Sequence, residues 1–193
     1  MPKVETFDKE LVLKKAANVF HNKGFNAASM QDLVDATGLN RSSIYNSFGG
    51  KLDLFLECLK SYRDLFYTKV SKRLQNADNP LDAIERLFEL YLDEIVSDKD
   101  DKGCFITNCT SEMANQNESI VSFLNANRTS FLEFLEELVE KGQEQSVINN
   151  NKSANEYALY LFSSIQGLRT TGILISNKND LQIIIKTIIQ TLI

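Results

Sequence analysis

Apolar residues recur three and four positions apart along most of this 193-residue chain, which is the spacing of an amphipathic α-helix. The pattern predicts an all-α fold. Polar caps, glycines and a proline interrupt the apolar stripes and set the expected limits of the helices. The stripe of the first helix is expected to bury Leu11, Val12, Ala16, Val19 and Phe20. The predicted helices cover residues 7–23, with Thr6 as the cap, then 30–37, 41–48, 51–76, 81–96, 104–113, 118–141, 154–176 and 181–193.

The stretch over residues 29–51, SMQDLVDATGLNRSSIYNSFGGK, has the pattern of two short helices joined by a tight turn. Ser29 can cap the first helix, and Asp32, three positions later, completes a capping box. Gly38 follows that helix directly and suits the left-handed conformation that ends helices. Asn40 is a good cap for the second helix. The spacing therefore predicts a helix-turn-helix.

The second helix of this pair turns only Ile44 and Phe48 inward, because these two apolar residues lie one turn apart. Its other side chains are small, polar or basic and are expected to point outward. An exposed helix of this kind, held by a helix packed across it, suits the DNA major groove. Arg41 is the strongest candidate for a base contact, with guanine as its usual partner. The predicted DNA-binding residues are Ser29, Arg41, Ser42, Ser43, Tyr45, Asn46, Ser47 and Lys51.

These motifs make the first quarter of the chain resemble the TetR family of bacterial transcriptional regulators (TetR/AcrR-like). The resemblance rests on AASMQDLV at 27–34, TGL at 37–39, SIY at 43–45 and FGGK at 48–51. It implies a three-helix, helix-turn-helix DNA-binding domain over 1–48 and a helical effector-binding and dimerisation domain over 49–193. It also implies a repressor that leaves its operator when a small-molecule effector binds.

The last two predicted helices combine many apolar residues with small ones. Small residues at intervals of three to four allow another helix to approach closely, and the final helix is apolar on more than one side. Burial within one chain and burial in a dimer both account for this pattern. A dimer explains it better, because two-fold DNA sites require paired reading heads. The predicted dimer residues are Ile165, Gly167, Leu168, Gly172, Ile184, Ile185 and Ile188.

The resemblance, rather than any spacing, implies an effector cavity between the helices of the second domain. Cys104 and Cys109 offer an alternative, in which the regulator senses oxidants or electrophiles through its thiols, although buried structural cysteine is the commoner state. The identity of the effector stays open. The residues expected to line the cavity are Tyr62, Phe66, Phe88, Tyr91, Phe105, Met113, Phe123, Phe131, Phe162 and Gln166.

The formal net charge of −5 is unevenly distributed. Residues 1–51 carry seven Lys and Arg against five Asp and Glu, whereas residues 52–193 carry fourteen against twenty-one. This asymmetry fits a DNA-facing head on an acidic body. The N-terminus lacks an apolar signal segment, no apolar run reaches the roughly 18 residues of a membrane span, and three cysteines fit a reducing compartment. We therefore expect a cytoplasmic protein without membrane association.

The sequence carries none of the patterns that indicate catalysis, such as a glycine-rich phosphate loop, paired carboxylates or a nucleophile elbow. The single histidine, His21, has no cysteine or carboxylate cluster beside it, so neither a zinc site nor a catalytic triad is expected. We predict a regulator that is not an enzyme and needs no cofactor or metal. Its expected partners are double-stranded, pseudo-palindromic operator DNA, a small-molecule effector and a second copy of the chain.

Overall fold

The computed structural model describes residues 7–175 and 177–193. Within these two ranges it contains nine α-helices and no β-strand, which confirms the all-α prediction. In the same ranges, no helix has both the length and the hydropathy needed to cross a lipid bilayer. The helices are α1 Lys9–Ala27, α2 Met30–Thr37, α3 Arg41–Phe48, α4 Lys51–Leu74, α5 Pro80–Ser97, α6 Phe105–Met113, α7 Glu118–Glu144, α8 Ala154–Leu174 and α9 Lys178–Gln190.

The described chain packs as two compact units. The first unit comprises the described residues up to Phe66 together with Asn108–Phe123, and the second comprises Tyr67–Thr107 and Leu124–Ile193. Helices α4, α6 and α7 each begin in one unit and end in the other. This division follows packing, and the functional division between residues 48 and 49 stays a prediction.

Helix α1 begins later than its stripe suggested. The predicted cap, Thr6, lies outside the described residues, and the helix starts at Lys9, after Asp8, whose side chain accepts the N–H of Leu11 at 3.1 Å. Leu11 was expected in the core but is 47% exposed, and Leu13 is buried instead. The reason is rotation: Leu13 shares a helix face with Ala16 and Phe20, whereas Leu11 does not.

Phenylalanine rings fill the core of the first unit. Phe20 and Phe55 are both 1% exposed, and their ring centroids lie 4.9 Å apart in an edge-to-face arrangement. The Phe25 ring lies 5.0 Å from the Phe55 ring, so the prediction that Phe25 packs back onto the core is confirmed. Leu33 of α2 and Ile44 of α3 are fully buried in the same unit. Both helices of the helix-turn-helix are thus anchored through their apolar faces.

Helix α5 organises the core of the second unit by packing against both α8 and α9. Its Asn79 cap accepts the N–H of Asp82 at 3.0 Å, and Pro80 occupies the first turn as predicted. Helix α7 continues through Gly142 to Glu144 rather than ending at the glycine. The fully buried side chains of this unit include Ile84, Leu87, Phe88, Leu135, Val139, Ala158, Leu161, Ile165, Leu181 and Leu192.

Candidate functional site

The first turn of α2 is fixed by a reciprocal pair of hydrogen bonds. The Ser29 hydroxyl oxygen accepts the N–H of Asp32 at 3.1 Å, and Asp32 Oδ2 accepts the N–H of Ser29 at 2.9 Å, so the predicted capping box is confirmed. Lys23 Nζ donates to Asp32 Oδ1 at 2.7 Å. This bond, followed by those from Ser29, lowers the pKa of Asp32 from 3.8 to about 2. The carboxylate is therefore ionised at neutral pH.

The turn between α2 and α3 has the predicted geometry. Gly38 is in the left-handed region with φ 78°, and its N–H donates to the carbonyl of Val34 at 2.9 Å. Asn40 Oδ1 accepts the N–H of Ser43 at 2.8 Å and caps α3. The buried Thr37 hydroxyl donates to the carbonyl of Leu33 at 2.6 Å and accepts the N–H of Leu39 at 3.2 Å. The polar groups of the corner are therefore paired within the corner itself.

Helix α3 presents a polar face to solvent. Ile44 is fully buried and Phe48 is 8% exposed, so both inward residues are as predicted. Tyr45 is 50% exposed. The exposed residues of this face, together with the α2 cap, are Ser29, Arg41, Ser42, Tyr45, Asn46 and Ser47. The helix is thus held by one side and offers hydroxyl, amide, phenol and guanidinium groups on the other.

Two predicted contact residues differ from this pattern. Ser43 is only 6% exposed, because it lies on the inward side of α3 beside Ile44, and it is therefore not part of the accessible face. Lys51 is half-buried at the start of α4, with its Nζ 4.5 Å from the centroid of the Phe25 ring. A cation over an aromatic face is attracted to it electrostatically. The ring therefore holds the ammonium group next to the Gly49–Gly50 turn that follows α3.

Two family profiles match the chain in succession. "Bacterial regulatory proteins, tetR family" matches residues 12–58, and "Tetracyclin repressor-like, C-terminal domain" matches residues 80–188. The chain belongs to the TetR family. It is accordingly a DNA-binding transcriptional regulator, and its helix-turn-helix lies inside the first matched segment.

Individual relatives agree with this assignment. The uncharacterised HTH-type transcriptional regulator YezE of Bacillus subtilis is 34% identical over 112 residues, a match that spans 58% of each protein. The HTH-type transcriptional repressor ComR of Escherichia coli is 27% identical over 168 residues, which cover 86% of this chain and 79% of ComR. A cysteine variant of the TetR-family regulator CifR, solved in complex with 26-base-pair operator DNA, superposes with a TM-score of 0.87 at 20% identity and covers 99% of this chain and 100% of that one. The CifR likeness shows that the fold is shared.

The predicted effector residues of this TetR-family chain fall in both units. In the second unit, Phe88, Tyr91 and Phe105 are at most 3% exposed and belong to the core. Burial raises the pKa of the Tyr91 phenol, and the guanidinium carbon of Arg169 lies 4.4 Å from the Tyr91 ring centroid. Gln166 Oε1 accepts the Thr107 hydroxyl at 2.9 Å. Phe131 and Phe162 meet edge to face at 6.2 Å. The four in the first unit are Tyr62, Phe66, Met113 and Phe123.

A cavity of about 510 Å³ opens in the second unit between the end of α4 and the middle of α7. Its lining has no charged side chain, and it is shared with the predicted set only through Phe131, whose ring stacks on Phe134 at 6.1 Å. The α4 contribution follows the spacing 67, 70, 71 and 74, so a helical stripe near the end of α4 could have indicated it. The lining residues are Tyr67, Val70, Ser71, Leu74, Gln75, Ser130, Phe131 and Phe134.

The predicted dimer residues also divide into two groups. Gly167 is exposed and Ile184 is half-buried. The other five, Ile165, Leu168, Gly172, Ile185 and Ile188, are buried within the chain, which differs from the prediction. The physical reason is α5, which packs against α8 and α9 and covers that side of both helices. The apolar side chains that α8 and α9 leave exposed are Leu159, Tyr160, Leu174 and Ile183.

All three thiols are buried and none is in a disulfide. Burial, with a smaller contribution from the charge of Glu112, raises the pKa of Cys109 to about 12. Burial and Glu57 raise the pKa of Cys58 to about 12 as well. Cys104 is 7% exposed. Because the thiolate is the reactive form of cysteine, Cys58 and Cys109 are chemically quiet at neutral pH.

Proposed function

We propose that this TetR-family regulator acts as a homodimeric repressor that binds a pseudo-palindromic operator in the cytoplasm and releases it when a small apolar molecule binds. The observation that carries the DNA-binding part is the polar, exposed face of α3, held in place by caps at both ends and by Ile44 and Phe48 beneath it. A recognition helix must be rigid where it meets the protein and polar where it meets the groove.

Within that face, Arg41 is proposed to read a guanine, because it lies in the first turn of α3 and is exposed. The amide of Asn46 and the phenol of Tyr45 are proposed as further readers. Ser29, Ser42 and Ser47 carry hydroxyl groups that suit phosphate oxygens. Lys51 is proposed as a phosphate contact, with its ammonium group positioned by the Phe25 ring. Ser43 is left out because it is buried.

The homodimer is proposed to form through the side of α8 that α5 leaves open. Leu159, Ser163, Gly167, Thr170 and Leu174 recur at helical spacing and are all exposed in the single chain. Leu174 is 86% exposed, and Ile183 of α9 is 61% exposed. A stripe with large apolar residues at its ends and small residues in its middle lets a second α8 approach closely. Two-fold symmetry then supplies the paired heads that a pseudo-palindromic operator requires.

The effector is proposed to occupy the 510 Å³ cavity between α4 and α7. A volume of this size lies within the usual range of small-molecule sites, and its lining offers aromatic and aliphatic surface with only hydroxyl and amide groups for orientation. These features favour an uncharged ligand with an aromatic or aliphatic body. To release the operator, the ligand must bind more tightly to the DNA-free arrangement of the heads than to the DNA-bound one.

The thiol-sensing alternative has no observation in its favour. The Cys109 thiol is buried and its pKa is raised, and Cys104 is buried too. Reactive cysteines lie in accessible, electropositive surroundings that lower the thiol pKa. We therefore keep the ligand as the proposed signal.

The proposal is tested by selecting binding sites from a randomised duplex library with purified protein and measuring affinity by fluorescence anisotropy. The expected result is an enriched site with two-fold symmetry and half-sites about one helical turn apart. A reporter gene placed behind that site should be expressed more strongly when the regulator is deleted. An enriched site without symmetry would contradict the dimer, and lower expression on deletion would contradict repression.

A further inference from the structure

Helix α1 is interrupted near its end. Gly24 has φ 75° and ψ 171°, which are not helical angles, and a single further turn follows it over residues 25–27. The N–H of Ala28 donates to the carbonyl of Gly24 at 3.3 Å and closes this turn. The N–H groups at the start of a helical turn have no partner within the turn. The backbone of Phe25 and Asn26 therefore needs acceptors from elsewhere, immediately before α2 begins.

Glu112 of α6 supplies both acceptors. Its Oε2 accepts the N–H of Phe25 at 2.9 Å, and its Oε1 accepts the N–H of Asn26 at 2.8 Å. The Asn26 side chain adds a hydrogen bond from its Nδ2 to Gln116 Oε1 at 3.3 Å. All of these residues belong to the first unit, although Glu112 is 87 positions away from Phe25 in the sequence. One carboxylate thus acts as an external cap on the segment that leads into the helix-turn-helix.

The glycine and the carboxylate require each other. A Cβ at residue 24 would lie 2.8 Å from Glu112 Oε2 and 3.0 Å from its Oε1, so only glycine allows the carboxylate to approach this closely. The positive φ of Gly24 is also a conformation that L side chains rarely adopt. Two independent features of the backbone therefore favour a carboxylate at this point.

We propose that Glu112 is a positioning residue for operator binding, which holds the α1–α2 junction in the geometry that presents α3 to DNA. This inference rests on the proposed function. Helix α6 begins in the second unit, where Thr107 is bonded to Gln166, and ends in the first, where Glu112 caps the junction. A displacement of α6 by a ligand would withdraw the cap and loosen the head.

Electrostatics alone predicts the opposite effect of removing this carboxylate. DNA is a polyanion, so the loss of a negative charge from the DNA-binding unit should strengthen binding or leave it unchanged. The proposal requires Glu112→Gln to weaken binding, because the amide nitrogen of glutamine cannot accept a hydrogen bond and one backbone N–H loses its partner. The sign of the change therefore separates positioning from simple charge.

The experiment compares Glu112→Gln and Glu112→Ala with Glu118→Gln, which removes the same charge from an exposed residue in the first turn of α7. Affinity for the selected operator is measured by fluorescence anisotropy with the full-length protein. We expect both Glu112 variants to bind about five- to tenfold more weakly than wild type, and Glu118→Gln to bind as tightly or more tightly. Equal or tighter binding by Glu112→Gln would overturn the proposal.

A second measurement excludes a general loss of stability. Ile84→Val in the second unit serves as the stability control, since this substitution of a fully buried residue lowers stability by about 0.5–1.5 kcal/mol. Its operator affinity should not change. Amide hydrogen exchange at Phe25 and Asn26 should be at least about tenfold faster in the Glu112 variants and unchanged in the control. Unchanged exchange at these two amides would also overturn the proposal, even if the protein proved to bind no operator and the proposed function itself failed.

Discussion

Gly167 and Gly172 lie five positions apart on α8 in opposite surroundings. A Cβ at residue 167 would meet no heavy atom within 4 Å, whereas a Cβ at residue 172 would lie 2.5 Å from Ile95 Cγ2 and 2.9 Å from Ile95 Cδ1. Neither glycine has a positive φ, so the backbone accepts an L side chain at both positions. Alanine at each position therefore compares helix propensity alone with helix propensity plus a packing clash.

For Gly167→Ala, the expected change is a gain of about 0.5–1 kcal/mol in the stability of the single chain, because glycine inside a helix carries that cost relative to alanine. For a chain of this size, this corresponds to a rise in Tm of roughly 1–4 °C. Gly172→Ala gains the same propensity but forces Ile95 to move, and overpacking of a core costs about 1–3 kcal/mol. We expect a net loss at Gly172.

Gly167→Leu tests the proposed dimer. In the single chain the leucine side chain enters solvent and keeps the gain in helix propensity, whereas in the dimer it prevents the close approach of a second α8. We expect the dimer dissociation constant to rise at least about tenfold, which corresponds to about 1.4 kcal/mol. Sedimentation velocity over a dilution series measures this constant, and thermal melts at the same concentrations report the linked change in Tm.

Two results would refute this reasoning. If Gly167→Leu dimerises as tightly as wild type, the exposed side of α8 is not the interface. If Gly167→Ala destabilises the protein as much as Gly172→Ala does, the surroundings of the two glycines are not those described above. Gly172→Ala is the matched control, since it makes the same chemical change on the same helix.

Four further outcomes are expected. Arg41→Ala should cost about 1–3 kcal/mol of operator affinity and relax preference at one base pair per half-site, whereas Lys51→Ala should weaken all sequences alike and lower the salt slope by about one, both measured by competition binding at two salt concentrations. Asp32→Asn should lower the Tm at neutral pH; because the folded pKa lies at about 2, below its ordinary value of 3.8, the difference from wild type should disappear as pH falls from 3.8 towards 2 in melts across that range. Cys109 should resist iodoacetamide at neutral pH in the native protein and react once guanidinium unfolds it, as followed by mass spectrometry. Ser130→Trp should fill the cavity and abolish binding of Nile red, a neutral aromatic dye, in a fluorescence titration while operator binding persists.

The helix-turn-helix could be predicted from the sequence because its signals are local. Ser29 and Asp32 cap each other across three positions, Gly38 ends a helix that it directly follows, and Asn40 caps the helix that begins at the next residue. Each of these interactions forms between residues within a single turn. Helical spacing also placed Ile44 and Phe48 on the inward face of α3, and the structure confirms both.

The placement of Ser43 needed the tertiary structure. Its residue type suits either a DNA contact or a position beside the core, and its burial follows from how α3 packs rather than from its neighbours in the sequence. The same holds for Leu11 and Leu13, two adjacent apolar choices of which packing buries only the second.

The two faces of α8 and α9 were also decided by tertiary packing. Periodicity identifies an apolar face but does not say which partner covers it, and in this chain α5 covers Ile165, Leu168, Gly172, Ile185 and Ile188. The open face, with Gly167 at its centre, is the one left for a second copy. The cap from Glu112 to Phe25 spans 87 positions and leaves no periodic trace in the sequence. Contacts between residues so distant depend on the path of the whole chain, which local propensities do not encode.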